Sequence, residues 1–160
     1  MIALAGLPPS VHPWPVGVGP RYHPTAPVRD GKPVGALLCG AYRVRFDAHV
    51  EIFASRRVAI LPRGIGRGPA CAYAASTNAP TGVIRLVHAV RLGDLFRVWG
   101  QPLGPRRLLS FRGTVTAYVG GRRWPGDPRR IWLTRHAQVV LEVGGHVAPH
   151  PAYLFPKGTP

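Results

Sequence analysis

Residues 42–53 alternate between apolar and polar. Val44, Phe46, Ala48, Val50 and Ile52 interleave with Arg43, Arg45, Asp47, His49 and Glu51, the period of two that marks a strand buried on one face and wet on the other. Ser55-Arg56-Arg57 supplies the turn and residues 58–61 the returning strand, which Pro62 stops. Residues 64–69 read as a glycine-rich loop and 83–87 as another short strand. The period then lengthens. Leu92, Leu95, Phe96 and Trp99 fall at helical spacing, which predicts a two-turn helix over 91–99, ended by Gly100 and with its apolar set in the core. Residues 114–119, Gly120-Gly121 and Arg122-Arg123-Trp124 carry a hairpin signature, Gly126-Asp127-Pro128 a turn, and residues 131–133 and 138–143 the last strands. Together these elements predict an α+β or mostly β fold. It is a small mixed or antiparallel sheet of six or seven short strands, with one short helix across a face and a Pro-rich N-terminal arm.

The arm is residues 1–35, where eight prolines give an extended, partly polyproline-like character. Trp14 and Tyr22 are its aromatic anchors, on the domain or on a partner, and Trp124, Tyr153 and Phe155 are the aromatic anchors of the rest of the chain. Residues 36–145 form a single strand-rich domain. Residues 146–160 form a C-terminal strap whose Tyr153, Leu154 and Phe155 need cover from the domain or a neighbour. A chain of 160 residues, 46% hydrophobic, fits one domain with a real core. Its 20 glycines and 19 prolines follow no collagen period and favour short elements over long helices. No run approaches the roughly 18 apolar residues of a membrane span. Residues 1–7 are apolar but lack the basic start and hydrophobic centre of a signal peptide, so export would require a leader outside this numbering.

Charge changes the picture more than size does. Lys plus Arg is 21 against 6 acids, a net charge of +15, and only Lys32 and Lys157 are lysines. Compositional bias explains arginine over lysine but not the shortage of acids. Self-repulsion of this size is relieved by a polyanion, an anionic membrane surface or an acidic protein. The arginines recur in groups, Arg43/Arg45, Arg56/Arg57, Arg63/Arg67, Arg106/Arg107, Arg122/Arg123 and Arg129/Arg130, many of them at turns from which long cationic side chains reach a partner. Trp124, Trp132, Tyr118 and Phe111 lie among them, which suits stacking on bases and equally suits ordinary hairpin packing. No RNP, KH, helix-turn-helix or zinc-finger signature accompanies them.

Catalytic signals are sparse. Gly64-Ile65-Gly66-Arg67-Gly68 lacks the Gly-Lys-Ser/Thr ending and the long helix of a phosphate-binding loop, so it reads as a structural loop or as an anion contact through Arg63 and Arg67. No Gly-X-Ser-X-Gly elbow occurs and neither cysteine neighbours an activating histidine. Asp47 and His49 share one face of their strand and, with His88, are the best remnant of a chemical constellation. They read better as a polar stripe facing solvent or a partner. His136, His146 and His150 are too widely spaced to define a site. No catalytic residue is assigned and no cofactor is expected. Cys39 and Cys71 leave two readings open: one disulfide closing a loop of roughly 30 residues, worth about 3 kcal/mol, or two separate buried thiols.

Several short motifs occur in order: Ala48-His49-Val50-Glu51-Ile52-Phe53, Ile60-Leu61-Pro62-Arg63-Gly64-Ile65-Gly66, Thr81-Gly82-Val83-Ile84, and Leu92-Gly93-Asp94-Leu95-Phe96 with Trp99-Gly100. Over residues 37–145 the chain resembles a family of small uncharacterised bacterial proteins, usually exported or membrane-tethered. That family carries a His-X-His-Ala-His type cluster, a His-Thr-His-Asp type cluster and a further strand histidine, a set suited to a transition metal. Here only His49 remains of the first cluster, with Arg45 and Asp47 in its other places. Ser76 and Asn78 stand in the second, and Arg85 replaces the strand histidine. The resemblance implies a fold outline, a Cys39–Cys71 disulfide and an extracytoplasmic or membrane-associated place. It implies no activity, and the loss of ligands leaves His49 and Asp47 as a weak metal remnant.

The leading expectation is a non-enzymatic accessory or interaction subunit of a larger assembly that uses its arginine-rich turns and extended termini. A second reading is a nucleic-acid or ribosome-binding module, which would be cytoplasmic. A third is a degenerate relative of a metal-binding exported protein.

Overall fold

Residues 46–54 form the central strand of the main sheet, pairing with three others. The computed structural model describes residues 11–12, 16–17, 19–147 and 152–160. Trp14 and His150 lie outside the described residues, as do all four prolines before Pro20. In chain order the elements are β1 (Val11–His12), β2 (Arg21–Tyr22), β3 (Phe46–Ala54), β4 (Arg57–Ala59), β5 (Ala75–Ser76), β6 (Val83–Leu86) and β7 (Val90–Arg91), then α1 (Leu92–Trp99). There follow β8 (Leu103–Gly104), β9 (Arg107–Leu108), β10 (Phe111–Arg112), β11 (Val115–Val119), β12 (Arg122–Trp124), a 3-10 turn (Pro128–Arg130), β13 (Trp132–Leu133), β14 (Gln138–Val143) and β15 (Ala152–Tyr153).

The main sheet has eight strands. On one side of β3 the order runs β14, β11, β12, with β14 parallel to β3 and the rest antiparallel. The other side of β3 is divided. Its first half pairs with β6, and β6 with β5, while its second half pairs with β4, which carries β2 in parallel. Where the two branches part, Val50 N–H donates to Gly82 O at 2.9 Å. Gly82 has φ +74, and a Cβ there would lie 2.4 Å from Val50 O, so glycine is what lets the fork close. Three small sheets complete the fold: the β8–β9–β10 meander, β7 with β13, and β1 with β15. The strands outnumber the six or seven that the pattern predicts because most of the extra ones are two residues long, too short to show a period.

The mixed sheet with one short helix matches the prediction, and α1 ends where expected. Gly100 adopts φ +77 and donates to Arg97 O. Leu92, Leu95, Phe96, Val98 and Trp99 are all buried in the core that holds Ala48, Val50, Ile52 and Ala54 of β3. From residue 19 to 35 the proline-rich segment lies on the domain. Arg29 donates to Val98 O and Arg97 O at the helix end, Thr25 O accepts from Trp99 Nε1 at 3.0 Å, and Tyr22 packs edge-on against Phe111 with its hydroxyl 3.1 Å from Ser110 Oγ.

Two expectations need correction. The strand begins at Phe46 rather than Tyr42, whose side chain is exposed. More importantly, β3 is buried on both faces. His49 is 1% and Glu51 6% exposed, and Phe53 sits in a second cluster with Val58 and Ile60, covered by Val16 and Val147. The polar stripe at 47, 49 and 51 therefore does not face solvent, because segments from the two ends of the chain lie over that face of the sheet.

The Cys39–Cys71 bond is formed, which settles the choice between disulfide and free thiols. It packs on the bare Cα of Gly68, where a Cβ would meet Cys71 Sγ at 2.7 Å and Cys39 Sγ at 3.0 Å. The β3–β4 turn is less accommodating. Ser55 and Arg56 occupy its two central positions at φ 48 and φ 62, a conformation that favours Asn-Gly. Arg56→Gly is expected to raise stability by about 0.5–1 kcal/mol, seen as a higher urea midpoint. A lower midpoint would mean that the Arg56 side chain makes contacts outweighing the backbone strain.

Candidate functional site

Four of the six positions read in the sequence as a possible ligand set, Asp47, His49, Ser76 and Arg85, come together across three strands. Asp47 of β3 stands opposite Arg85 of β6, and Arg85 opposite Ser76 of β5. His49 lies two residues from Asp47, on the same face. The other two positions, Arg45 and Asn78, are exposed. His88 is also exposed, its Nδ1 2.9 Å from Ala89 O. Among the described residues no group of three or more His, Cys, Asp and Glu side chains gathers to hold a metal.

The C-terminal strap covers this cluster. Tyr153 stacks on His49 with ring centroids 4.4 Å apart, and Phe155 stacks on His136 at 4.5 Å. Gln138 clasps the Tyr153 backbone in both directions, donating to its carbonyl at 2.8 Å and accepting from its N–H at 3.2 Å. Asp47 N–H donates to Pro160 O, and His136 Nε2 lies 2.9 Å from the same oxygen. Under this cover burial raises the Asp47 carboxyl above the ordinary range, partly offset by the charges of Arg85 and His136. The Tyr153 phenol is raised by burial and then by Asp47.

Glu51 continues the row. Burial pushes its carboxyl up to about 7, and its Oε1 lies 3.8 Å from His49 Nδ1. A cavity of about 10 Å³ adjoins it, lined also by Val16, Gly17, Thr81 and Gly82. That space admits one water and no substrate, and His49 Nε2 is engaged with Thr81 O at 3.1 Å. The row can hold a proton near neutrality.

The arginines occupy a different kind of place. Arg43, Arg45, Arg56, Arg57, Arg63, Arg67, Arg106, Arg107, Arg122, Arg123, Arg129 and Arg130 are all exposed, whereas Arg85 is half-buried. Among the described residues one arginine forms an ion pair with a carboxylate, Arg129 with Asp127 at 2.7 Å, and hydrogen bonding to Arg129 holds Asp127 below its ordinary range. Glu51 and Glu142 are buried beside histidines, so they leave the surface charge uncompensated. Trp124 is half-buried against the core, with its Nε1 enclosed and lacking a hydrogen-bond partner.

Sequence reasoning missed two features. Arg91 lies 4.2 Å over the ring of Trp132, which is 48% exposed, while its guanidinium donates to Arg130 O. The other is the Glu142–His146 pair, whose only signal was an acid and a histidine four residues apart around Gly144-Gly145. The chain matches no family model, no curated protein and no solved structure.

Proposed function

We propose that the protein is a non-enzymatic interaction subunit whose arginine-tipped loops engage an anionic partner within a larger assembly. The observation that carries this reading is the row of exposed arginines with a single carboxylate pair among them. Charge left unpaired on a folded surface repels itself until a partner of opposite sign arrives. Arg56 and Arg57 at the β3–β4 turn, Arg106 in the β8–β9 turn with Arg107 opening β9, and Arg122 and Arg123 after the β11–β12 turn present it on short, hydrogen-bonded hairpins. Guanidinium groups on such tips suit bidentate contact with carboxylates or phosphates. The Cys39–Cys71 bond supports an oxidising, extracytoplasmic place. No helix among the described residues is long and apolar enough to cross a membrane.

The test is capture of the tagged protein from its native source. One partner in fixed stoichiometry is expected, with affinity falling at least about tenfold between about 50 and 200 mM salt. A solitary protein at the lower salt would overturn the reading. One observation favours nucleic acid as that partner: the exposed Trp132 flanked by Arg91, Arg129 and Arg130 offers a stacking platform among cations. Binding of a single-stranded oligonucleotide that persists at physiological salt and weakens about tenfold in Trp132→Ala would select it. Absence of binding at low salt would exclude it.

A further inference from the structure

We propose that the outer face of β11, β12 and β14 holds a binding pocket for a phosphate dianion, free or as a monoester. The pocket, about 320 Å³, is lined by Thr114, Thr116, Tyr118, Arg123, Glu142 and His146, with the backbone of Gly144 and Gly145 at one side. Strand register assembles it: Thr116 lies opposite Glu142, and Tyr118 opposite Arg123. Residues of β11 and β14 at these positions point away from the main core, whose members here are Ala117, Leu141 and Val143.

The single acid in the pocket is already engaged. Glu142 is 3% exposed; its Oε1 lies 2.9 Å from His146 Nδ1, and its Oε2 accepts from Val147 N at 2.6 Å. A carboxylate so placed holds the imidazole in one orientation. Tyr118 OH is 3.4 Å from the same His146 nitrogen. Burial, followed by the charge of Glu142 and a hydrogen bond to it, raises the Tyr118 phenol above its ordinary range, so its proton is directed at that carboxylate. The hydroxyls of Thr114 and Thr116 and the Arg123 guanidinium thus line one cleft, a donor set matched to the acceptor oxygens of a tetrahedral anion.

Two further cations stand at the rim. A Cβ on Gly145 would lie 3.6 Å from Arg56 Nε, so this guanidinium runs along the pocket edge. Arg106 Nη1 is 3.5 Å from Thr114 Oγ1. Arg56 reaches its place from a left-handed backbone conformation that glycine would adopt more easily, the kind of strain that accompanies a functional position. Arginines from strand β12 and from two separate turns therefore converge on one cleft. A volume of this size takes a phosphate together with a small organic group.

This inference goes beyond the partner reading, since it rests on side chains gathered in one pocket rather than on dispersed charge. It is tested on the full chain by amide chemical-shift titration at constant ionic strength, with inorganic phosphate and phenyl phosphate as probes and sulfate as the comparison. Saturable shifts centred on Gly144 and Gly145 are expected, with phosphate bound more tightly than sulfate. Arg123→Ala should weaken binding about tenfold or more. Arg112→Ala, which removes the same charge from β10 outside the pocket, should leave it unchanged. Arg123→Lys guards against misfolding: it keeps the charge, loses the fork, and should still lose several-fold in affinity. Tighter binding of phenyl phosphate assigns the ester; equal binding assigns free phosphate. Shifts spread over all the exposed arginines, or equal losses in Arg123→Ala and Arg112→Ala, would overturn the pocket and leave the partner reading untouched. Loss of partner capture with phosphate binding intact would do the reverse.

Discussion

Reducing the Cys39–Cys71 bond, or replacing both cysteines by serine, is expected to lower the unfolding free energy by about 3–4 kcal/mol. The bonded residues are 32 apart in sequence, and the loop they close contains β3 and β4, the centre of the main sheet. Cutting it restores to the unfolded chain the freedom of a long loop, a quantity that grows with the logarithm of loop length. At roughly 2–4 °C per kcal/mol for a chain of this size, the melting temperature should fall by about 10 °C. The bond also holds the loop at Gly64 to Pro69, whose remaining ties include the pairings of Gly40 and Arg67 with Ala72 and the Gly68 N–H to Cys71 O hydrogen bond. Thermal melts with and without reductant decide the matter. A shift of less than about 2 °C would mean that these backbone ties and the core fix the loop unaided.

The second large effect is a dependence on pH. The Glu51 carboxyl is pushed up to about 7 by burial, from an ordinary value of 4.5. The folded protein therefore holds this proton more tightly than the unfolded chain does. Folding takes up a proton between those two values, so the contribution of Glu51 is fully present below about pH 4.5 and is lost as pH rises through 7. The loss approaches about 3 kcal/mol above that window. Glu51→Gln keeps the shape without the charge. It should match the natural protein near pH 4.5 and exceed it at pH 8 by as much as that figure, reduced by whatever the 3.8 Å contact with His49 contributes. Asp47, also raised by burial, adds a slope of the same sign that the substitution leaves in place. Urea titrations at three pH values measure the difference, and parallel stability curves for the two proteins would refute it.

What the sequence revealed and what it concealed follow from the range of each interaction. The helix was legible because its signals are local: Leu92, Leu95, Phe96 and Trp99 at helical spacing, with Gly100 to end it. The β3–β4 and β11–β12 hairpins were legible for the same reason. The burial of His49 and Glu51 was not, since polar residues at alternate positions signify a wet face unless other segments cover it. The cover comes from Val16, Val147 and Tyr153, distant in sequence and carrying no periodicity. The disulfide was undecidable, because two cysteines with no metal-like spacing fit a bond and two thiols alike. Histidine spacing hid the pocket as well: His146 gains meaning only through Glu142, whose neighbours Val139, Leu141 and Val143 give an ordinary strand pattern.

The parallel pairing of β14 with β3 bears on how the molecule is made. His49 and Gln138, which stand side by side, are about ninety residues apart along the chain, and contacts that distant form slowly because a long loop must close first. As the polypeptide leaves the ribosome, β3, β4 and β6 emerge early, yet one flank of β3 has no neighbour until synthesis reaches residue 143. For that interval Val50, Ile52 and Phe53 belong to an incomplete sheet with an open edge, the condition under which strands pair with the wrong chain. A dense cationic surface, with a net charge of +15, keeps such nascent chains apart from one another while that edge stands open.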